Sequence, residues 1–163
     1  IDVPAGIDSG QQLVMENRGE PSLDGGPAGD VYFEIQIDQD SLFRRENNDV
    51  YLEVPVSVGQ AILGMDLDVP TLYGTAKLHI PSGTQPGTLL RLKGQGIPQL
   101  NGYGKGDQYV RIVVEIPRKL SSRQREMITE FENSQKEGSM PDIDSFKKRI
   151  KDWFDKVVGN TEE

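Results

Sequence analysis

Apolar and polar residues alternate with a period of two along most of the first two thirds of the chain. Val31-Tyr32-Phe33-Glu34-Ile35-Gln36-Ile37, Val50-Tyr51-Leu52-Glu53-Val54 and Tyr109-Val110-Arg111-Ile112-Val113-Val114-Glu115-Ile116 each read as a strand with at least one buried face. Between such runs stand Pro-Ala-Gly, Asn-Arg-Gly, Gly-Gly-Pro, Pro-Ser-Gly and Gly-Gln-Gly. Gly reaches φ > 0 and Pro fixes φ, so these clusters mark tight turns. One short stretch, Val58-Gly59-Gln60-Ala61-Ile62-Leu63, is helix-like. After Pro117 the period lengthens. Ser121-Ser122-Arg123-Gln124 has capping-box spacing, and Met127, Ile128 and Phe131 then share one face. A polar stretch, 133–140, ends at Pro141. Beyond it Ile143, Phe146, Ile150, Trp153, Phe154, Val157 and Val158 recur at steps of three and four, and Gly159 stands where a C′ glycine would. The pattern predicts a β region through residue 117 followed by two helices, the second strongly amphipathic.

An internal repeat organises the β region. Val3-Pro4-Ala5-Gly6 matches Ile80-Pro81-Ser82-Gly83 at an offset of 77. The same offset carries Gly10 to Gly87, Gly19 to Gly96, Pro21 to Pro98, Gly29-Asp30 to Gly106-Asp107, Tyr32 to Tyr109 and Ile35 to Ile112. Positions 3–38 and 80–115 share 12 identities in 36 without a gap, which reads as two copies of one β unit. In the second copy residues 47–79 precede the matched segment, and the first copy has no counterpart of them. The expectation is a fragment cut inside its first β domain, with a sheet edge left open to a neighbouring molecule.

Composition narrows the chemistry. Cys is absent and His79 is the single histidine, which excludes thiolate or histidine metal clusters and His-paired triads in these residues. The net charge of −8 opposes the counterion release that drives nucleic-acid and anionic-membrane binding. No apolar run approaches the roughly 20 residues of a membrane helix. In the tail helix Lys147, Lys148, Arg149, Lys151 and Lys156 are offset by Asp142, Asp144, Asp152 and Asp155, which disfavours a membrane-lying role. Neither nucleic acid nor membrane is an expected partner, and a cytoplasmic or organellar-matrix location is expected rather than secretion. The Gly-rich runs at 93–96 and 102–106 lack phosphate-cradle spacing and read as turns. Asp66 and Asp68 flank an apolar residue on a strand, as a solvated face would, although a hydrolase using paired acids needs such a pair across a cleft.

The ordered motifs resemble the carboxy-terminal client-binding region of the DnaJ co-chaperone family. They are Val3-Pro4-Ala5-Gly6, Gly29-Asp30-Val31-Tyr32, Phe43-Arg44-Arg45, Ala61-Ile62-Leu63-Gly64, Val69-Pro70-Thr71-Leu72-Tyr73-Gly74, Ile80-Pro81-Ser82-Gly83-Thr84-Gln85, Lys93-Gly94-Gln95-Gly96-Ile97-Pro98 and Leu120-Ser121-Ser122-Arg123-Gln124. The resemblance implies a mainly β fold of tandem β-sandwich-like domains, the first truncated, followed by C-terminal helices. Residues 1–42 would be the rear of the first client-binding domain and 43–118 the second. Residues 119–135 would be a dimerisation helix and 136–163 a linker with the amphipathic tail. It implies no enzyme activity, and as partners unfolded or extended client polypeptides, the seventy-kilodalton heat-shock chaperone and a second copy of the chain. The family's J domain is marked by His-Pro-Asp, whereas His79 is followed by Ile80. No cofactor is expected here; the zinc-binding Cys repeats of one family class would precede Ile1 in a longer protein.

The resemblance also places sites. The aromatic at the hinge after the first domain's last strand maps to Phe43, although the family often has His-Pro where Asp40-Ser41 stand. By the internal repeat, Leu52, Val54, Leu67 and Val69 are candidates for a second peptide groove, against the plainer reading that their alternation fills the core. Met127, Ile128 and Phe131 are candidate dimer contacts. Phe146, Ile150, Trp153 and Phe154 are expected to pack at the dimer junction. The alternative is a tandem β-sandwich module for a ligand such as carbohydrate, disfavoured because the single Trp lies in the tail.

Overall fold

The structure, a computed structural model, describes residues 1–159. The chain divides into two compact units, Ile1–Ile116 and Pro117–Glu163. In the first unit a hairpin of β1 (Gln12–Met15) and β2 (Val31–Glu34) forms a separate antiparallel sheet. β3 (Phe43–Glu46) turns back through Asn47, at φ +55°, into β4 (Asp49–Ser57). α1 (Val58–Leu63) starts at a full capping box in which the Ser57 hydroxyl accepts from the Gln60 amide and the Gln60 side chain accepts from the Ser57 amide. β5 (Met65–Thr71) and β6 (Gly74–Ile80) make a second two-stranded sheet. β7 (Leu89–Leu92) and β8 (Gln108–Glu115) complete a four-stranded sheet of order β3-β4-β8-β7.

The mainly β expectation with C-terminal helices holds. The strand at 50–54 runs longer, because β4 pairs with β8 from Val50–Gln108 to Ser57–Glu115. The run at 31–37 is shorter, because its partner turns away at Gly10; the backbones still exchange Gly10 N–H to Ile35 C=O (2.8 Å) and Ile35 N–H to Gln11 C=O (2.9 Å).

Alternation along β4 and β8 puts Leu52, Val56, Val110 and Ile112 on one face. They meet Val69, Leu78 and Ile80 of the β5–β6 hairpin and Ala61 of α1 in one core. Each fully buried aliphatic side chain contributes on the order of 1.5–3 kcal/mol. Gln108 is the buried polar exception. Its amide donates to the Pro70 carbonyl at 2.9 Å and so ties β8 to β5.

The two copies have the same construction. β1–β2 pairs Gln12 with Glu34 and Met15 with Val31; 77 residues on, β7–β8 pairs Leu89 with Arg111 and Leu92 with Gln108. Gly10 and Gly87 sit at φ +82° and +83°. Asp30 Oδ1 accepts from the Asn17 amide at 2.9 Å, and Asp107 Oδ1 from the Gly94 amide at 2.7 Å. Gly19 and Gly96 are places where two backbones touch. A Cβ on Gly19 would lie 2.9 Å from the Gly29 carbonyl carbon, and one on Gly96 2.4 Å from that of Gly106 and 2.5 Å from Asn48 O.

In the second unit α2 (Ser122–Ser134) carries the expected box, with Ser121 and Gln124 each accepting the other's backbone N–H. α3 (Pro141–Gly159) still includes Gly159, so that glycine is a helical residue and not the C′ residue the sequence pattern placed there. Among the described residues no helix is long and apolar enough to cross a membrane.

Gly96→Ala forces a methyl into backbone atoms and is expected to destabilise the first unit by about 2–3 kcal/mol. Gly59→Ala, in α1 with only Ser57 Oγ at 3.9 Å, is expected to be neutral or to stabilise by up to about 1 kcal/mol. Urea unfolding followed by far-ultraviolet circular dichroism checks both; equal midpoints would refute the close approach at Gly96.

Candidate functional site

A cleft of about 930 Å³ lies around the start of β3 in the first unit. β3 is an edge strand, hydrogen-bonded to β4 on one side only. Phe43 opens it, opposite Leu52, and packs half-buried against the core while also lining the cleft. Leu42, Leu72 and Ile97 extend the apolar lining.

The turn leading into Phe43 is built by one side chain. Asp40 Oδ1 accepts from the amides of Leu42 (2.7 Å) and Phe43 (2.9 Å), an Asx-type turn. Those donors, that of Phe43 first, hold the Asp40 carboxyl below the ordinary aspartate range. Asp40 thus fixes the hinge that leads into Phe43. Arg45, two residues after Phe43, crosses to the first copy: Nη1 donates to the Ile7 carbonyl at 2.8 Å and Nη2 to the Gly6 carbonyl at 3.2 Å. Ile7 is buried, and a Cβ on Gly6 would lie 2.2 Å from Pro98 O. One wall of the cleft therefore comes from each copy. Sequence reading missed Arg45, which has no local signal; the Asp at 40 three residues before Phe43 is the signal that marks the turn.

The sheet's other face carries a cross-strand row, Arg44, Tyr51, Tyr109 and Arg91. The two tyrosine rings stack at 5.3 Å with 19° between planes, and the Arg44 guanidinium lies 5.4 Å from the Tyr51 ring. Partial loss of water, then the Glu46 and Asp49 carboxylates, hold the Tyr51 hydroxyl above its ordinary pKa.

The predicted second groove needs correction. Leu52 and Val69 are only 1% exposed and are core residues. Val54 and Leu67 are half-buried against the same core. The plainer reading of their alternation is the one the structure shows, because the β5–β6 hairpin packs directly over β4. Asp66 and Asp68 are exposed cross-strand partners, Asp66 Oδ1 2.7 Å from His79 Nδ1 and Asp68 Oδ1 3.5 Å from Lys77 Nζ. The Gly-rich turns spend their amides internally, Gly94 on Asp107, Gly96 on Gly106 and Gly106 on Ile97. In the second unit Met127, Ile128 and Phe131 are 43–54% exposed on α2, and Phe146, Ile150, Trp153 and Phe154 are 40–58% exposed on α3. Among the described residues no cluster of three or more His, Cys, Asp or Glu side chains is placed to hold a metal ion.

The DnaJ C terminal domain family model matches residues 1–117. Among curated proteins, the Chaperone protein DnaJ of Geobacillus kaustophilus is 48% identical over 132 residues, covering 81% of this chain and 35% of that protein. That of Ruminiclostridium cellulolyticum is 45% identical over 154 residues, covering 94% and 41%. That of Clostridioides difficile is 43% identical over 156 residues, covering 96% and 41%. The chain thus spans little more than a third of the length of these curated relatives.

Asp40→Ala removes the acceptor that holds the hinge and is expected to speed hydrogen exchange at the Leu42 and Phe43 amides, leaving those of β8 protected. In the wild-type chain the Asp40 carboxyl is expected to titrate below the ordinary aspartate range, because the Phe43 and Leu42 amides donate to it. Because the folded value is depressed, the turn's contribution is present above the unfolded pKa and is lost as pH falls through the folded one. Exchange and carboxyl titration by NMR check both; an ordinary titration at Asp40 would contradict the turn.

Proposed function

Because the chain belongs to the DnaJ C-terminal domain family, we propose that it is the client-holding and dimerising part of a co-chaperone, binding extended apolar segments of unfolded proteins. The observation that carries this is the Phe43 cleft: an apolar lining beside the outer strand of a sheet. An extended peptide adds to such an edge through main-chain hydrogen bonds, and alternate side chains reach the lining. This accepts many sequences, because the backbone bonds are common to all of them. Nothing in the reading calls for bond chemistry. Of the second-copy candidates, Val54 and Leu67 keep some exposed surface and Leu52 and Val69 do not, so the cleft at Phe43 is the primary site. The carbohydrate alternative has no feature in its favour, since the single Trp lies on α3.

Homodimerisation completes the proposal. Met127, Ile128 and Phe131 form an apolar face on α2, which has no buried residue of its own. A second copy covers that face through an isologous contact, and the α3 residues Phe146, Ile150, Trp153 and Phe154 pack within the same assembly. Two clefts per dimer then hold one client by avidity. Delivery to the seventy-kilodalton heat-shock chaperone belongs to a longer protein that carries a J domain, as does any zinc; the site of action is the cytoplasm or an organellar matrix.

Phe43→Ala is expected to weaken binding of a labelled Leu- and Phe-rich peptide by about tenfold, in line with loss of a central aromatic anchor, as read by fluorescence anisotropy. Unchanged affinity would displace the site from this cleft. Met127→Glu with Phe131→Glu is expected to shift sedimentation velocity from dimer to monomer, and a persisting dimer would remove α2 from the contact.

A further inference from the structure

We infer that the Phe43 cleft selects, among apolar segments, those whose apolar residues are flanked by lysine or arginine; this rests on the client-binding reading of the same cleft. The chain's negative charge is not spread evenly. Residues 1–42 hold nine carboxylates and one arginine, Arg18, whereas residues 43–163 hold 17 residues of each sign. The whole net charge of −8 therefore resides in the first-copy portion, and residues 37–42 of that portion form one wall of the cleft.

The cations on the remaining walls are already engaged. Arg45 donates to the Gly6 and Ile7 carbonyls and lies 3.9 Å from Asp8. Arg111 lies 3.9 Å from Glu53, and Arg44 pairs with Glu46. Asp38 and Asp40, by contrast, have no ion pair among the described residues, and Asp40 spends one oxygen on backbone amides. The uncompensated charge at the rim is negative while the floor is apolar.

A strand added along the free edge of β3 turns successive side chains to opposite sides. Apolar residues at alternate positions reach Phe43 and its neighbours, and the residues between and beyond them meet the rim. A cation there gains from Asp38 and Asp40, whereas a carboxylate is repelled. The acidic first-copy portion also steers basic segments toward the cleft at low ionic strength. The occupant is thus a basic, apolar extended polypeptide.

The test uses the full chain and labelled peptides with one Leu/Phe core and flanks of Lys, Gln or Glu, titrated by anisotropy at low and high salt. The expected order is Lys tighter than Gln tighter than Glu, with about tenfold between the extremes at low salt and a spread that shrinks toward unity near 0.5 M salt, where screening is short-ranged. Asp38→Asn, at an exposed position without a hydrogen bond among the described residues, is expected to narrow the spread, and Asp38→Lys to narrow it further, with an unchanged thermal melt. Phe43→Ala is expected to weaken all three peptides alike. Equal binding of the three, or a preference for Glu flanks, overturns the selectivity and leaves the client reading standing. Failure of all three to bind overturns both.

Discussion

The parallel pairing of β4 with β8 is the constraint on which the rest of the first unit depends. β7 and β8 are a local hairpin that bends back through turn residues close in sequence, but a hairpin alone has one face and one edge with nothing to cover them. β4 supplies the missing edge, and the crossover that joins it to β8 brings α1 and the β5–β6 hairpin over the exposed face. The first copy shows the difference. β1–β2 has the same turns and register, yet Phe33 and Ile35 stay half-buried where Val110 and Ile112 are fully enclosed. Identical local geometry thus gives a closed core in one place and an open face in the other.

The cleft follows from the same arrangement. With β8 in the interior of the sheet, β3 becomes an outer strand, and its first residue is the aromatic that faces both the core and the cleft. Asp40 sets the direction from which the chain arrives, and Arg45 holds the first-copy loop against the neighbouring strand. Before any peptide arrives, both side chains act on the scaffold itself. They fix the distance between the walls, which makes the cleft a property of the interface between the copies.

What could be read in the sequence was local. Ser121 to Gln124 spells its own cap, and the turn residues of the repeat stand at positions whose backbone demands them. The same reading applied to Ser57 and Gln60 would have fixed the start of α1. Non-local facts were hidden. Alternation in Leu52, Val54, Leu67 and Val69 is the same whether the apolar face meets a peptide or another sheet, so burial alone separates groove from core. Arg45 donates to carbonyl oxygens almost forty residues away, and a carbonyl has no residue identity to search for. The uneven charge could be counted from the start, but it acquires meaning only once residues 37–42 are seen to line a wall.

The shared register of the two hairpins poses a problem of self-recognition while the chain folds. β4 meets two edges of nearly the same shape, that of β8 and that of β2. On β8, Glu53 faces Arg111; on β2 the corresponding position, 77 residues earlier, is Glu34. Opposite charges across a pair of strands help and like charges oppose, by up to about 1 kcal/mol for an exposed pair. Gln108 adds to the discrimination, since its counterpart Val31 has no amide to offer Pro70. Duplicated scaffolds are prone to swapping equivalent strands, and in this one a few surface and buried polar residues serve as the address labels that keep each strand with its own copy.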